Sequence, residues 1–367
     1  MADTLSSLRV VIFAGGVGTR MWPLSRKATP KQFEKIIDNK STLQLAVERI
    51  RPEVPFTNIY ISTGNQYVGI IKEQLPEVPP QNIIGEPEMR DVAAAVGYLM
   101  AILAKTDPAG PVAILWSDHL LSNVASFKEA LQAGADYINQ HKEGFVFLGQ
   151  KPRFANQNLG WIQHGEKISQ VGNFAVHEFI SWHYRPELPT AQKYFASADY
   201  TWNPGYFIVA PQYALDQFAR FTPKMAESLR KLQASYGMPS HKADVESIYP
   251  ALDKVSFDDA ILAKIDPNQA VVLPVDLGWS DIGTWEALKE ALVAKKTDNL
   301  TKGKVVAYQT EGSVVYNYTD QLVTTINVKD LVVVVTPEVV MVVPQASIPE
   351  VKKMLATFTG TENEKYA

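Results

Sequence analysis

The sequence predicts an α/β protein, a mostly parallel β-sheet covered by helices, followed by a small all-β domain. Three observations predict it. The first 150 residues alternate short apolar runs with helical patterns. A glycine-rich segment, Gly15-Gly-Val-Gly18, follows the first apolar run directly. After Lys296 the composition shifts to valine and threonine, punctuated by turn residues.

Residues 8–14 are a short apolar run, as expected of a strand covered on both faces. Ser41-Thr-Leu-Gln44 is a capping-box pattern that opens a helix to about residue 50. Residues 58–63 read as a strand, 92–105 as an alanine-rich helix and 112–116 as a buried strand. Residues 126–139 read as a helix, with Phe127, Ala130, Leu131, Gly134 and Ile138 on one face, and 145–148 as a strand. Strands that alternate with helices in this way pair in parallel through right-handed crossovers.

Residues 150–210 look different. Short strands at 160–163, 176–182 and 206–210 surround one helix near 190–197, the pattern of an insertion that decorates the sheet. Helical patterns return at 212–221, 224–235 and 257–264, then a strand at 270–275 and a helix at 284–295. The polar stretch 296–303 separates a first domain, 1–296, from a second, 303–367. The second has turn signals at Thr310-Glu-Gly312 and Tyr318-Thr-Asp320 and a last helix at about 349–358.

Composition excludes several chemistries. There is no cysteine, so a disulfide scaffold, a zinc–thiolate site, an iron–sulfur centre and a thiol nucleophile are out. The six histidines show no zinc-ligand spacing. A net charge of −4 supplies no global positive field, so nucleic acid is not expected as a partner. The apolar runs 331–335 and 339–343 are split by Thr336-Pro337-Glu338, and no apolar run in the chain approaches the ~20 residues that span a bilayer. The N-terminal segment lacks a basic region and a long apolar run, so the expectation is a cytoplasmic protein with no membrane partner. The valine-rich tail offers strand edges and apolar surface for pairing, which predicts a homodimer.

The glycine loop is the sharpest feature. Gly15, Gly16 and Gly18 let the backbone approach a ligand and turn its N–H groups one way, the geometry of an anion nest. Arg20 adds a fork of donors suited to phosphate oxygens. The loop is not a Walker A motif, and Met21 stands where a dinucleotide fingerprint needs its third glycine. Between residues 4 and 33 lie Arg9, Arg20, Arg26, Lys27 and Lys31 and no acidic residue. Such a cluster beside a glycine loop predicts a polyphosphate ligand.

These motifs resemble a known family. Gly15-Gly-Val-Gly-Thr-Arg-Met-Trp-Pro-Leu-Ser-Arg26, followed by Pro30-Lys-Gln-Phe33, resembles the signature of the sugar-1-phosphate nucleotidyltransferases. Within them, Trp-Pro-Leu-Ser-Arg with Pro-Lys-Gln-Phe resembles the mannose-1-phosphate guanylyltransferases. Further matches follow in order: Glu86-Pro-Glu-Met-Arg90-Asp, Ser117-Asp-His119, Trp202-Asn-Pro-Gly-Tyr-Phe207, Phe257-Asp-Asp-Ala-Ile261 and Gly278-Trp-Ser-Asp-Ile-Gly-Thr-Trp285.

The resemblance implies a Rossmann-like sheet of the nucleotidyltransferase/glycosyltransferase-A type with a left-handed β-helix-like tail. It implies transfer of GMP from GTP to mannose 1-phosphate, with Mg²⁺ as cofactor. Arg20 and Lys31 would be catalytic. Gly15, Gly16, Gly18, Thr19, Arg20, Glu86, Arg90 and Asp118 would bind nucleotide. Gly160, Arg185, Asn203 and Asp281 would bind the sugar phosphate, and Asp118 and Asp281 would share the metal. His119 would support Asp118. Most of the tryptophans are expected in the core.

The sequence departs from the family on the sugar side. Tyr184-Arg185-Pro186 stands where the family carries Glu-Lys-Pro, and Trp116 and Ser117 replace Pro-Ala before the Asp-His. Two alternatives therefore accompany the main reading. One is transfer to another sugar 1-phosphate or from another base. The other is a catalytically dead homologue that senses nucleotide sugars, which the intact Gly16, Arg20, Lys31, Asp118 and Asp281 argue against.

Overall fold

The computed structural model describes residues 4–16, 18–26 and 29–367; the Thr4 and Thr19 side chains also lie outside the description. The chain forms two units from interleaved stretches. The first comprises residues 1–15, 47–117 and 121–279, the second 16–46, 118–120 and 280–367.

The first unit is built on a ten-stranded sheet. In chain order its strands are β1 (Arg9–Phe13), β2 (Ile59–Gly64), β3 (Ile83–Glu86), β4 (Val112–Trp116) and β5 (Phe145–Gln150). They continue as β6 (Gly160–Val171), β7 (Phe174–Tyr184), β8 (Tyr200–Asn203), β9 (Phe207–Val209) and β10 (Ala270–Val275). The order across the sheet is β8-β6-β7-β10-β5-β9-β4-β1-β2-β3. The run β3-β2-β1-β4 is parallel, as is the β5–β10 pair. Antiparallel β9 lies between β4 and β5. Every residue of β1 is buried, Arg9 included, as the apolar run of residues 10–13 requires of a strand with covers on both faces.

Helix Asp91–Thr106 packs against helices Pro211–Phe221 and Pro223–Ser235, and helix Val124–Gln140 packs on strands β4, β5, β9 and β10. The first buries a continuous run from Ala93 to Ala104, and the alanines keep it thin enough to pack closely. The second buries Phe127, Ala130, Leu131, Gly134 and Ile138, the face expected from its 3.6-residue period. Gly134 meets the sheet where a Cβ would come within 2.5 Å of Ile208 Cδ1.

The insertion is longer than its sequence suggests. β6 and β7 form an extended antiparallel hairpin with several register shifts, and β8 is an additional strand on its edge. Helices Val68–Gln74 and His241–Ile248 are also additional. The helix expected over 257–264 breaks into Phe257–Ala260 and a 3-10 turn Leu262–Lys264.

The second unit contains the β tail. Leu300–Lys302, Val314–Asn317 and Leu331–Val335 stack in parallel, Val340–Pro344 closes that sheet antiparallel, and Val305–Tyr308 pairs in parallel with Val323–Ile326. Its apolar core joins Met21, Trp22 and Leu24 of the segment after the glycine loop to Ile282 and Trp285 and to Val314, Tyr316, Val332 and Val334 of the tail. Trp22 therefore belongs to this core, and its indole donates to the Tyr366 carbonyl at 2.6 Å. The capping box forms as patterned: Gln44 N–H donates to Ser41 Oγ at 3.2 Å, and Ser41 N–H to Gln44 Oε1 at 3.0 Å.

Candidate active site

In the second unit four predicted groups come together. Lys31 begins a short 3-10 turn, Lys31–Phe33, after Pro30, and it is buried rather than solvated. Its ammonium sits 2.9 Å from Asp118 Oδ2 and donates to the Ile282 carbonyl at 3.0 Å. Its backbone N–H donates to Ser25 Oγ at 3.1 Å, which fixes the turn. Glycine at 18 gives the lysine stem room, since a Cβ there would press to 3.3 Å from Lys31 Cδ.

Burial acts to raise the Asp118 carboxyl, but the Lys31 ammonium, with a smaller contribution from His119, outweighs it and holds the group at about 2. His119 Nε2 lies 3.9 Å from Asp118 Oδ1, too far for a hydrogen bond, so its support for Asp118 is electrostatic. The Asp281 carboxyl is raised by burial and by the like charge of Asp118, against Lys31 and Arg20, which lower it. Two acids and two cations thus share one electrostatic neighbourhood.

Arg20 lies in the 3-10 turn Thr19–Met21 and is exposed. Gly16 has φ +91°, open to glycine and strained for other residues. Its carbonyl accepts from Gln32 Nε2 at 3.2 Å. Thr19 contributes backbone to this turn, and its side chain is outside the described residues.

The basic cluster of the N-terminal segment is not one phosphate site. Arg9 is buried and donates to the carbonyls of Leu103, Asp107 and Gly110 at 2.8–3.1 Å, stapling the end of helix Asp91–Thr106. Arg26 pairs with Glu338. Lys27 is outside the described residues. Position along the chain put these residues together, and burial separates them.

In the first unit Gly15 follows β1 and is exposed. The remaining predicted residues fall in two places. Glu86 ends β3, where its carboxylate accepts from Ser62 Oγ at 2.8 Å and from Tyr249 OH at 2.7 Å. Burial raises it, and the two donors offset part of that rise. Arg90 precedes helix Asp91–Thr106, donates to Glu88 at 3.0 Å, and keeps a buried Nε that has no partner among the described residues.

The other place is the end of three adjacent strands. Gly160 of β6 pairs with Asn203 of β8 on one side and Tyr184 of β7 on the other. A Cβ on Gly160 would lie 2.6 Å from Trp182 Cη2, so glycine is needed for the ring to close over the strand. Arg185 has φ +45°, is exposed, and holds its guanidinium 5.0 Å over the Tyr184 ring.

Sequence reasoning missed Ser62 and Tyr249, the two donors that hold Glu86; nothing local marks either. Gln150 is a similar case. Fully buried at the end of β5, it donates to Asp276 Oδ1 at 3.1 Å and accepts from Leu277 N–H at 2.8 Å.

Phosphate transfer needs positioning and charge neutralisation. Asp118 and Asp281 are hard oxygen donors, and two carboxylates suit a cation such as Mg²⁺, which keeps waters and takes substrate phosphates as its other ligands. Among the described residues no group of three or more His, Asp or Glu side chains forms a full protein cage. Among the same residues no helix is long and apolar enough to cross a membrane.

Comparison with known proteins agrees with this chemistry. Residues 9–298 match the nucleotidyl transferase family, and residues 303–357 match the MannoseP isomerase/GMP-like beta-helix domain. The mannose-1-phosphate guanylyltransferase ManC of Salmonella typhimurium is 32% identical over 357 residues, 95% of this chain and 73% of that protein. The mannose-1-phosphate guanylyltransferase of Escherichia coli, strain K12, is 32% identical over 358 residues, with the same shares covered. A solved structure from Thermus thermophilus, described as a mannose-1-phosphate geranyltransferase, is 28% identical with a TM-score of 0.84, covering 96% of this chain and 99% of that one.

Proposed function

We propose that this chain, which belongs to the nucleotidyl transferase family, moves GMP from GTP to mannose 1-phosphate, releasing pyrophosphate and forming GDP-mannose. The observation that carries the reading is the Lys31–Asp118 pair, with Asp281 and Arg20 acting on the same charges. The names of the 32%-identical relatives support the choice of guanine and mannose.

In this reading a sugar-phosphate oxygen attacks the α-phosphorus of GTP, and pyrophosphate leaves with the electron pair. The loop amides of Gly15, Gly16, Gly18 and Thr19 and the Arg20 guanidinium hold the β- and γ-phosphates. Lys31 neutralises charge that develops at the α-phosphate. Glu86 and Arg90 serve the nucleotide. Gly160, Arg185 and Asn203 receive the sugar phosphate. Asp118 and Asp281 would hold Mg²⁺, which supplies charge neutralisation on the phosphates when bound.

The catalytic domain in this reading is 1–296, with 303–367 as its β appendage. A reaction that consumes GTP fits the cytoplasm. Exposed Val306, Tyr308 and Ile326 on one paired-strand face favour a homodimer.

The test is pyrophosphate release from GTP plus mannose 1-phosphate with Mg²⁺, and with ATP, UTP and dTTP in parallel. Release with GTP alone is expected. No release with any nucleotide and any sugar 1-phosphate would sink the reading. A second reading, transfer to a different sugar 1-phosphate, has one specific observation in its favour. The exposed Arg185 fork beside Tyr184 stands where the resemblance to the family implies a lysine and a carboxylate. A panel of sugar 1-phosphates under the same conditions separates the two.

A further inference from the structure

Trp116 is the last residue of β4 and is half-buried. Its indole N–H donates to the Gly205 carbonyl at 3.1 Å. Its ring lies against Phe13, with centroids 5.3 Å apart. Gly205 has φ +77°, and a Cβ there would sit 2.4 Å from Trp116 Nε1. The indole therefore occupies the space that any larger residue at 205 would need.

Gly205 is the pivot of the turn that carries Asn203. The Gly205 N–H donates to Asn203 Oδ1 at 2.8 Å. That bond engages the oxygen of the Asn203 carboxamide and leaves its NH2 as the group that donates outward. The flanking Trp202 and Tyr206 are fully buried, and Phe207 of β9 pairs with Ile114 of β4. The turn is thus anchored through its neighbours and held at its apex by one indole.

We propose that Trp116 is a positioning residue for the sugar. By fixing the Gly205 carbonyl it sets the turn over 203–205, and with it the direction in which the Asn203 NH2 meets a sugar hydroxyl. A donor held on a fixed turn loses less freedom when it binds than one on a loose turn. The inference rests on the guanylyl-transfer reading, because it needs Asn203 to face a sugar.

The experiment measures steady-state kinetics of pyrophosphate release for the wild type, Trp116→Phe, Asn203→Ala and the double variant. Trp116→Phe keeps a ring against Phe13 and loses the N–H. Its KM for mannose 1-phosphate should rise roughly five- to tenfold, as loss of one neutral hydrogen bond allows, with kcat and the KM for GTP within about twofold of wild type. In the double variant the sugar KM should equal that of Asn203→Ala, because the indole acts through Asn203. An unchanged sugar KM in Trp116→Phe, additive effects in the double variant, or equal rises in both KM values would overturn the proposal. If Trp116→Phe fails to fold, 3-benzothienylalanine incorporated at position 116, which keeps the bicyclic shape and lacks the N–H, takes its place with the same expected and contrary results. A wild type inactive with every sugar 1-phosphate would overturn the transfer reading and this inference with it. An active wild type with a silent Trp116→Phe overturns the inference alone.

Discussion

The Lys31 ammonium and the Asp118 carboxylate form an ion pair at 2.9 Å, and the same ammonium donates to the Ile282 carbonyl at 3.0 Å. A buried cation in that position does two things. It lowers the proton affinity of a carboxylate that burial would otherwise raise, and in the proposed reaction it would meet phosphate charge. Replacing it with an isosteric neutral residue separates these effects. Lys31→Met should cut turnover by about 10²-fold or more, the scale for losing one preorganised electrostatic contact. The Asp118 carboxyl should then titrate above its ordinary range, because burial remains and the ammonium is gone. Carbon NMR of labelled aspartate reads the second effect; an Asp118 still near 2 would refute this account.

In the proposed reaction Asp118→Asn and Asp281→Asn should each reduce turnover at least about 10²-fold, since a divalent ion held by these two carboxylates would lose one of its protein ligands. Chelation by EDTA should stop the wild type, and added Mg²⁺ should restore it. Turnover that persists after exhaustive chelation would remove the metal from the scheme.

Arg9 should matter for stability and not for catalysis. Its guanidinium satisfies three carbonyls at the end of helix Asp91–Thr106. Arg9→Met leaves those acceptors without their donor and should cost about 2–4 kcal/mol of unfolding free energy. Urea unfolding measures the loss. The KM for GTP should stay at the wild-type value, and a large rise in it would return Arg9 to the phosphate site.

Asp258 makes the fold pH-sensitive. Burial first, then the like charges of Asp259 and Asp91, together raise its carboxyl to about 6 against its own backbone hydrogen bond. The folded protein therefore holds this proton more tightly than the unfolded chain. Stability falls as pH rises from about 4 to about 6, and the penalty persists above that. Asp258→Asn should stabilise by about 1–3 kcal/mol at about pH 8, and by nothing at about pH 4. Unfolding midpoints at the two pH values decide it. A gain of equal size at both would show that charge is not the cause.

The parts of this protein legible in its sequence are those encoded by near neighbours. Strands β4 and β10 match the expected residues at both ends, because unbroken apolar runs bounded by turn residues have few other outcomes. The Ser41–Gln44 box formed because both of its bonds join residues three apart. The short helices Val68–Gln74 and His241–Ile248 escaped notice, since seven or eight residues carry barely two helical periods. The register-shifted β6–β7 hairpin blurred the alternation that would have marked it.

The candidate site divides in the same way. Motif residues could be named from the sequence, because a glycine loop, a lysine after proline and acids at strand ends each carry a local pattern. Their partners could not. Lys31 meets Ile282 across 251 positions, Glu86 meets Tyr249 across 163, and Trp116 meets Gly205 across 89. Arg9 and Lys31 are both basic residues of one segment, yet one staples a helix and the other faces an acid. The sequence determined which chemistry is present. Burial and long-range packing, which set each charge's solvation and nearest counter-charge, decided where that chemistry acts.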